Sequence, residues 1–236
     1  MTSGTEFERA ASHVFGRLCT GSGALSVALW AVMMVWVGSQ VPAYDVVRYT
    51  IDELGAGPQN TALLMRVMGY GLSGGLLAVF AAYVGWQLRR DPTAIFASLL
   101  LLAAGIARIG AGIYPCDPGC PGFGFSMDQD HHLLANRASN MLLLLAIGSW
   151  GVAVNRYPAL KRLSPFCFGA LSWSLVSFVM MATVLDKQGL YDRIAHGLVG
   201  AWLLLFTWFL WQARIWVAPP VWNKPNYAPR VRRFRR

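Results

Sequence analysis

The chain has 236 residues, of which 56% are hydrophobic and only 13% charged, about half the charged share of a soluble domain. Twenty Lys+Arg against 11 Asp+Glu leave a formal net charge of +9. This composition excludes intrinsic disorder, a disulfide-rich mini-protein and an ordinary cytosolic enzyme. A basic excess can serve nucleic acid, but that use needs a soluble basic face. The apolar runs leave little room for one, so no nucleic-acid partner is expected.

A bilayer core of about 30 Å needs about 20 mostly apolar residues in a helix. Six stretches meet that demand: residues 20–41, 62–88, 93–114, 132–154, 165–185 and 191–217. No β-barrel alternation accompanies them. The expected fold is all-α, a polytopic membrane bundle of six transmembrane helices. Val41, Pro42 and Ala43 resemble a signal-peptidase site, but the apolar run before them is too long for a signal peptide. The first stretch is therefore expected to remain as a span. Gly71 and Gly75, with Gly69, Ser73 and Gly74 beside them, give the second span a small-residue face suited to close helix packing.

Basic residues orient such a bundle. Fourteen of the 20 Lys+Arg, but only three of the 11 acids, fall in the N-terminal segment, the even loops and the tail. Both termini are thus expected in the cytoplasm, with the odd loops outside, and the membrane is read as a bacterial inner membrane. Residues 1–18 form the cytoplasmic N-terminal segment and 19–217 the transmembrane domain. Residues 218–236 form a Pro-rich polybasic tail ending in RVRRFRR, suited to anionic lipid headgroups or to a docking partner.

Cys19 and Cys167 lie at cytoplasmic helix ends and read as small apolar fillers. Cys116 and Cys120 lie together on the outward side, in Pro-Cys-Asp-Pro-Gly-Cys-Pro. Asp-Pro-Gly favours a tight turn and the compartment is oxidising, so a disulfide is expected there. It reads as a structural staple, with a redox-active pair as the other reading.

Polar residues gather at the outward depth. Arg66, Arg108, Asn136 and Arg137 lie on the spans, with Asp52, Glu53, Asp128, Asp130, His131, His132, Asp192, Arg193 and His196 at their outward ends. Charge facing lipid is costly, so these side chains should face the interior or water. Two readings follow. His131, His132, Asp192 and His196 are candidate ligands of a divalent metal such as zinc, with His132 and Asp130 in acid–base roles. Asp128–His132 and Asp192–His196 each have the four-residue spacing that shares a helix face. Alternatively, Arg66, Arg108 and Arg137, with Asn136, hold an anionic group such as a lipid phosphate or carboxylate. Ion pairing alone would also satisfy these groups, and a haem between His131 or His132 and His196 is a further arrangement.

Residues 51–56 (Ile-Asp-Glu-Leu-Gly-Ala), 113–121 (Ile-Tyr-Pro-Cys-Asp-Pro-Gly-Cys-Pro) and the His131–His132 pair resemble bacterial membrane proteins of domain-of-unknown-function family 998. The resemblance covers roughly residues 23–216. It implies a six-helix inner-membrane bundle with these motifs on one face, falling here on Glu53, Gly55, Pro115, Asp117 and His132 or His131. It implies no activity. A more distant likeness is to the alkaline ceramidase and adiponectin-receptor superfamily, seven-helix hydrolases with a zinc held by three His. This chain has six spans, and Asp192-xxx-His196 stands where those proteins have an HxxxH pair.

Two functions are therefore expected. One is an outward-facing membrane site for an anionic or lipid-like ligand, with metal-dependent hydrolysis as an extension. The other is a non-catalytic accessory or assembly subunit, docked on partner membrane subunits through aromatic runs such as TWFLWQARIW and through the tail.

Overall fold

The computed structural model describes residues 3–57 and 59–215, with side chains from residue 11 onward. The polybasic tail lies outside the described residues. Among them, every regular element is helical. Six helices are long and apolar enough to cross a membrane, so the chain is a multi-pass membrane protein.

Helix α1 runs Ser3–Gln40 without a break, because no proline interrupts it before Pro42. Most of the segment expected ahead of the bundle is therefore helical. Helix α2 spans Asn60–Gln87. Its central residues Met65–Leu72 are wound with π-helical spacing, a form that recurs at functional sites. Helix α3 is Pro92–Ile113, started by the Asp91 carboxylate, which accepts the Thr93 N–H at 2.9 Å. Helix α4 is Met127–Ala153, beginning five residues earlier than the apolar run. Ser126 caps it, and Asp128 and Asp130 lie in its first turn, where negative charge suits the helix dipole. Helices α5, Ser164–Thr183, and α6, Gln188–Gln212, complete the bundle.

Each helix packs on the next, and α6 returns to α1, so the six close into a ring. Inside it, Phe206 takes Phe80, Trp150 and Trp202 around its ring at centroid distances of 5.7, 4.6 and 5.4 Å. Helices α2 and α3 touch backbone to backbone. A Cβ placed on Gly105 would lie 2.7 Å from the Gly74 carbonyl oxygen, and one on Gly112 2.6 Å from that of Arg66. The small-residue face is thus Gly71 and Gly74 with their neighbours, a Cβ on Gly112 lying 3.2 Å from the Gly71 nitrogen, whereas Gly75 meets nothing within 4 Å.

The end of the bundle that carries Arg89 and Arg90 has its own buried anchor. Asp91 is 2% exposed and accepts from Arg156 at 2.6 Å and from the Tyr157 hydroxyl at 3.1 Å. At the opposite end, the loop after α1, the loop after α3 and the start of α6 are held together. Leu190 N–H bonds the Val47 carbonyl, and Gly57 N–H bonds that of Cys116.

Candidate functional site

Arg193, near the start of α6, ties down the loop after α1. One guanidinium nitrogen donates to the carbonyls of Val46, Tyr49 and Gly189, and the other to the Tyr44 hydroxyl. Burial pushes the Tyr44 hydroxyl up to about 12, so it keeps its proton and donates to the Thr50 carbonyl at 2.6 Å. Asp192 completes the clamp by accepting the Ile51 N–H at 2.8 Å. The clamp positions the next residue, Asp52, over the bundle.

The Asp52 carboxylate takes a hydrogen bond from the Tyr70 hydroxyl at 2.6 Å and another from the Asn136 amide at 2.7 Å. His132 Nε2 stands 4.0 Å from the same carboxylate. The His132 ring is fully buried, and its Nδ1 lies 2.8 Å from the Ala111 carbonyl and 3.1 Å from that of Tyr114. Two acceptors fix the proton on Nδ1, which leaves Nε2 buried with no hydrogen-bond partner.

Beyond Tyr70 lies Trp30 of α1, edge-on at 4.9 Å. The Arg108 guanidinium sits 4.4 Å from the centre of the Trp30 ring, and the His196 ring 5.5 Å from it. His196 Nδ1 faces both the carbonyl and the carboxylate of Asp192, at 2.9 and 3.0 Å. A cavity of about 270 Å³ opens here between α1 and α6, lined by Ser26, Trp30, Met34, Arg108, His196 and Leu203 among others. Arg108 is 8% exposed, yet it has no hydrogen bond or ion pair with any described residue. Trp30 Nε1, also buried, has no hydrogen-bond partner either. A desolvated cation–π contact contributes about 2 kcal/mol, against several kcal/mol for removing an ion from water. Within the protein, the Arg108 charge is under-compensated.

The expected site residues divide. Arg108 and His196 meet at the cavity, and Asn136 and His132 meet at Asp52. The three arginines do not converge. Arg137 is exposed and lies 4.4 Å from the Phe123 ring, while Arg66 lies under Gly55 with a buried, unpartnered Nε. His131 is exposed against the Tyr114 ring, because consecutive helical residues point about 100° apart. Asp130 accepts the Gly124 N–H at 2.7 Å, closing the preceding loop onto α4. Asp192 and His196 form an i,i+4 pair. Asp128 is exposed, and Asp52 instead of Asp128 faces His132. The four candidate metal ligands are therefore not brought together.

Cys116 and Cys120 are disulfide-bonded. With a ring nitrogen of His132 they form the one group of three potential ligands within 4.8 Å among the described residues. Both sulfurs are committed to each other, which leaves that group a single free donor. Trp30, Tyr70 and Gln129 were absent from the expected site. An aromatic residue inside an apolar run carries no mark of its eventual partner, whereas Gln129 is legible as a polar residue one turn before His132.

No curated protein and no solved structure matches the chain. A family model described as a protein of unknown function (DUF998) matches residues 24–209, and the chain belongs to that family.

Proposed function

We propose that this is an inner-membrane binding protein that takes an anionic, lipid-like molecule at Arg108. The observation that carries the reading is a buried guanidinium that no described side chain hydrogen-bonds or salt-bridges, set in the wall of an apolar cavity. Ionisable groups inside a membrane are expensive and mark ligand or ion pathways. A carboxylate or phosphate would supply a direct ion-pair partner and accept from Arg108, with Trp30 Nε1 a further donor. The apolar remainder of the wall suits a hydrocarbon chain. The positive-inside distribution of Lys and Arg supports reading this end of the bundle as the outward, periplasmic side, with both termini in the cytoplasm.

The test is to purify the full chain in mild detergent and identify retained amphiphiles by mass spectrometry. An anionic amphiphile should accompany the wild type and Arg137→Gln, and be depleted at least tenfold from Arg108→Met. Equal retention by Arg108→Met, or no anionic amphiphile in the wild type, overturns the reading.

A further inference from the structure

The Cys116–Cys120 disulfide has the surroundings of a reactive bond. Cys116 is 2% exposed, while Cys120 is half-buried beside exposed Pro118 and Gly119. Cys120 holds a left-handed backbone, φ 42°, between glycines 119 and 122 that have nothing near their missing side chains. Cys120 is thus the more accessible residue of the pair, and Cys116 is packed against the bundle. On the packed side, a ring nitrogen of fully buried His132 lies within 4.8 Å of both sulfurs. The ring's Nε2 has no hydrogen-bond partner and faces the Asp52 carboxylate at 4.0 Å. Asp52 and two carbonyls thus hold the ring, with both nitrogens facing acceptors, directly beside the sulfurs. A neighbouring imidazolium stabilises a thiolate. Gln129 Oε1, 3.1 Å from Cys116 Sγ, is placed to accept from a Cys116 thiol.

From this arrangement we infer that Cys116–Cys120 is a redox-active disulfide that exchanges with a dithiol, with His132 stabilising the leaving sulfur. A thiolate of the dithiol attacks Cys120 Sγ, and a new S–S bond forms as the Cys116–Cys120 bond breaks. The electron pair goes to Cys116 Sγ, which departs as a thiolate beside the His132 ring and takes a proton from solvent. The second thiolate of the dithiol then attacks its own sulfur in the mixed disulfide. Cys120 is released as a thiolate and is protonated in turn. The protein gains two electrons and two protons, and the dithiol becomes a disulfide.

Dithiothreitol serves as the dithiol, acting on full-length protein in detergent. Quenched samples are labelled with a maleimide after denaturation, and labels rise from two, on free Cys19 and Cys167, to four. The folded disulfide should open at least tenfold faster than the same disulfide in denatured protein. His132→Gln should remove that advantage, and Asp52→Asn should reduce it even if the histidine variant does not fold. An inert staple gives the opposite order, with the folded bond opening more slowly than the denatured one, and that order overturns the inference. Unchanged opening in both variants also overturns it.

Discussion

Arg108 holds its guanidinium 4.4 Å from the ring centre of Trp30, with no salt bridge to an acid among the described residues. This relationship makes opposite predictions for stability with and without a ligand. Removing a buried charge that lacks a direct ion pair in favour of an apolar side chain of similar length is neutral or stabilising. Arg108→Met should therefore raise the thermal midpoint of delipidated protein. The same substitution should abolish the midpoint rise that an added anionic amphiphile produces, a rise worth about 2.7 kcal/mol at a hundred times the dissociation constant. Differential scanning fluorimetry in detergent, with and without added fatty acid or anionic phospholipid, reads both effects. A wild type that is stabilised equally by neutral detergent analogues would remove the anion from the account.

Glu53 predicts a pH effect. It lies outside the spans, and burial raises its carboxyl above the ordinary glutamate value. The Thr50 N–H and hydroxyl, at 3.0 and 3.4 Å, and the Arg193 charge oppose that rise, while Asp52 adds to it. The folded state therefore binds the proton more tightly than the unfolded chain. Its contribution to stability is fully present below the unfolded value of about 4.3 and is lost as pH rises through the folded value. Glu53→Gln keeps an acceptor for Thr50 and has no charge to desolvate. The variant should lack this loss, so the two midpoint-versus-pH curves diverge above the glutamate range, with the variant higher.

The outline of the fold is legible because bilayer thickness sets a length that composition alone can meet, and the six apolar runs meet it. Helix starts are less so, since Ser126 and the acids after it extend α4 beyond its apolar run. The site is legible in depth but not in direction. Asn136 and Arg137 are neighbours in sequence, yet Asn136 reaches Asp52 while Arg137 turns to Phe123 at the surface. His132 and His131 divide in the same way. Asp52 and Asn136 are 84 residues apart, and no local pattern connects such a pair. The Arg108 cavity is hidden for a similar reason, since its wall is drawn from several helices whose facing is set by packing.

At the other end of the bundle, Asp91 caps α3 and receives Arg156 and Tyr157 while almost wholly buried. Replacing it by Ala removes the cap, about 1 kcal/mol, and leaves the facing donors without their acceptor. Breaking a buried ion pair from one side costs about 3–5 kcal/mol, and Arg156 is 29% exposed, which lets water recover part of it. Asp91→Ala should thus cost about 2–4 kcal/mol in reversible detergent unfolding. Asp91→Asn, which retains an acceptor for Thr93 and Tyr157, should lie between the alanine variant and wild type. A cost below about 1 kcal/mol would reduce Asp91 to a simple helix cap.

The glycines of α2 and α3 separate a packing role from an incidental one. A methyl on Gly105 would meet backbone on two sides, the Gly74 carbonyl oxygen at 2.7 Å and the Ala78 nitrogen at 2.9 Å. Neither atom can rotate away, so relief requires the two helices to separate. Overpacking of this kind costs about 1–3 kcal/mol. Gly75, one residue beyond Gly74, meets nothing within 4 Å, and alanine there should gain up to about 1 kcal/mol of helix propensity. Gly105→Ala should therefore lower the thermal midpoint while Gly75→Ala holds or raises it. Because Arg108 follows Gly105 by one helical turn, the separation should also loosen the Arg108 cavity. Gly105→Ala should accordingly lose retained amphiphile while Gly75→Ala keeps it. Equal behaviour of the two variants in both measurements would contradict the close α2–α3 contact at Gly74 and Gly105.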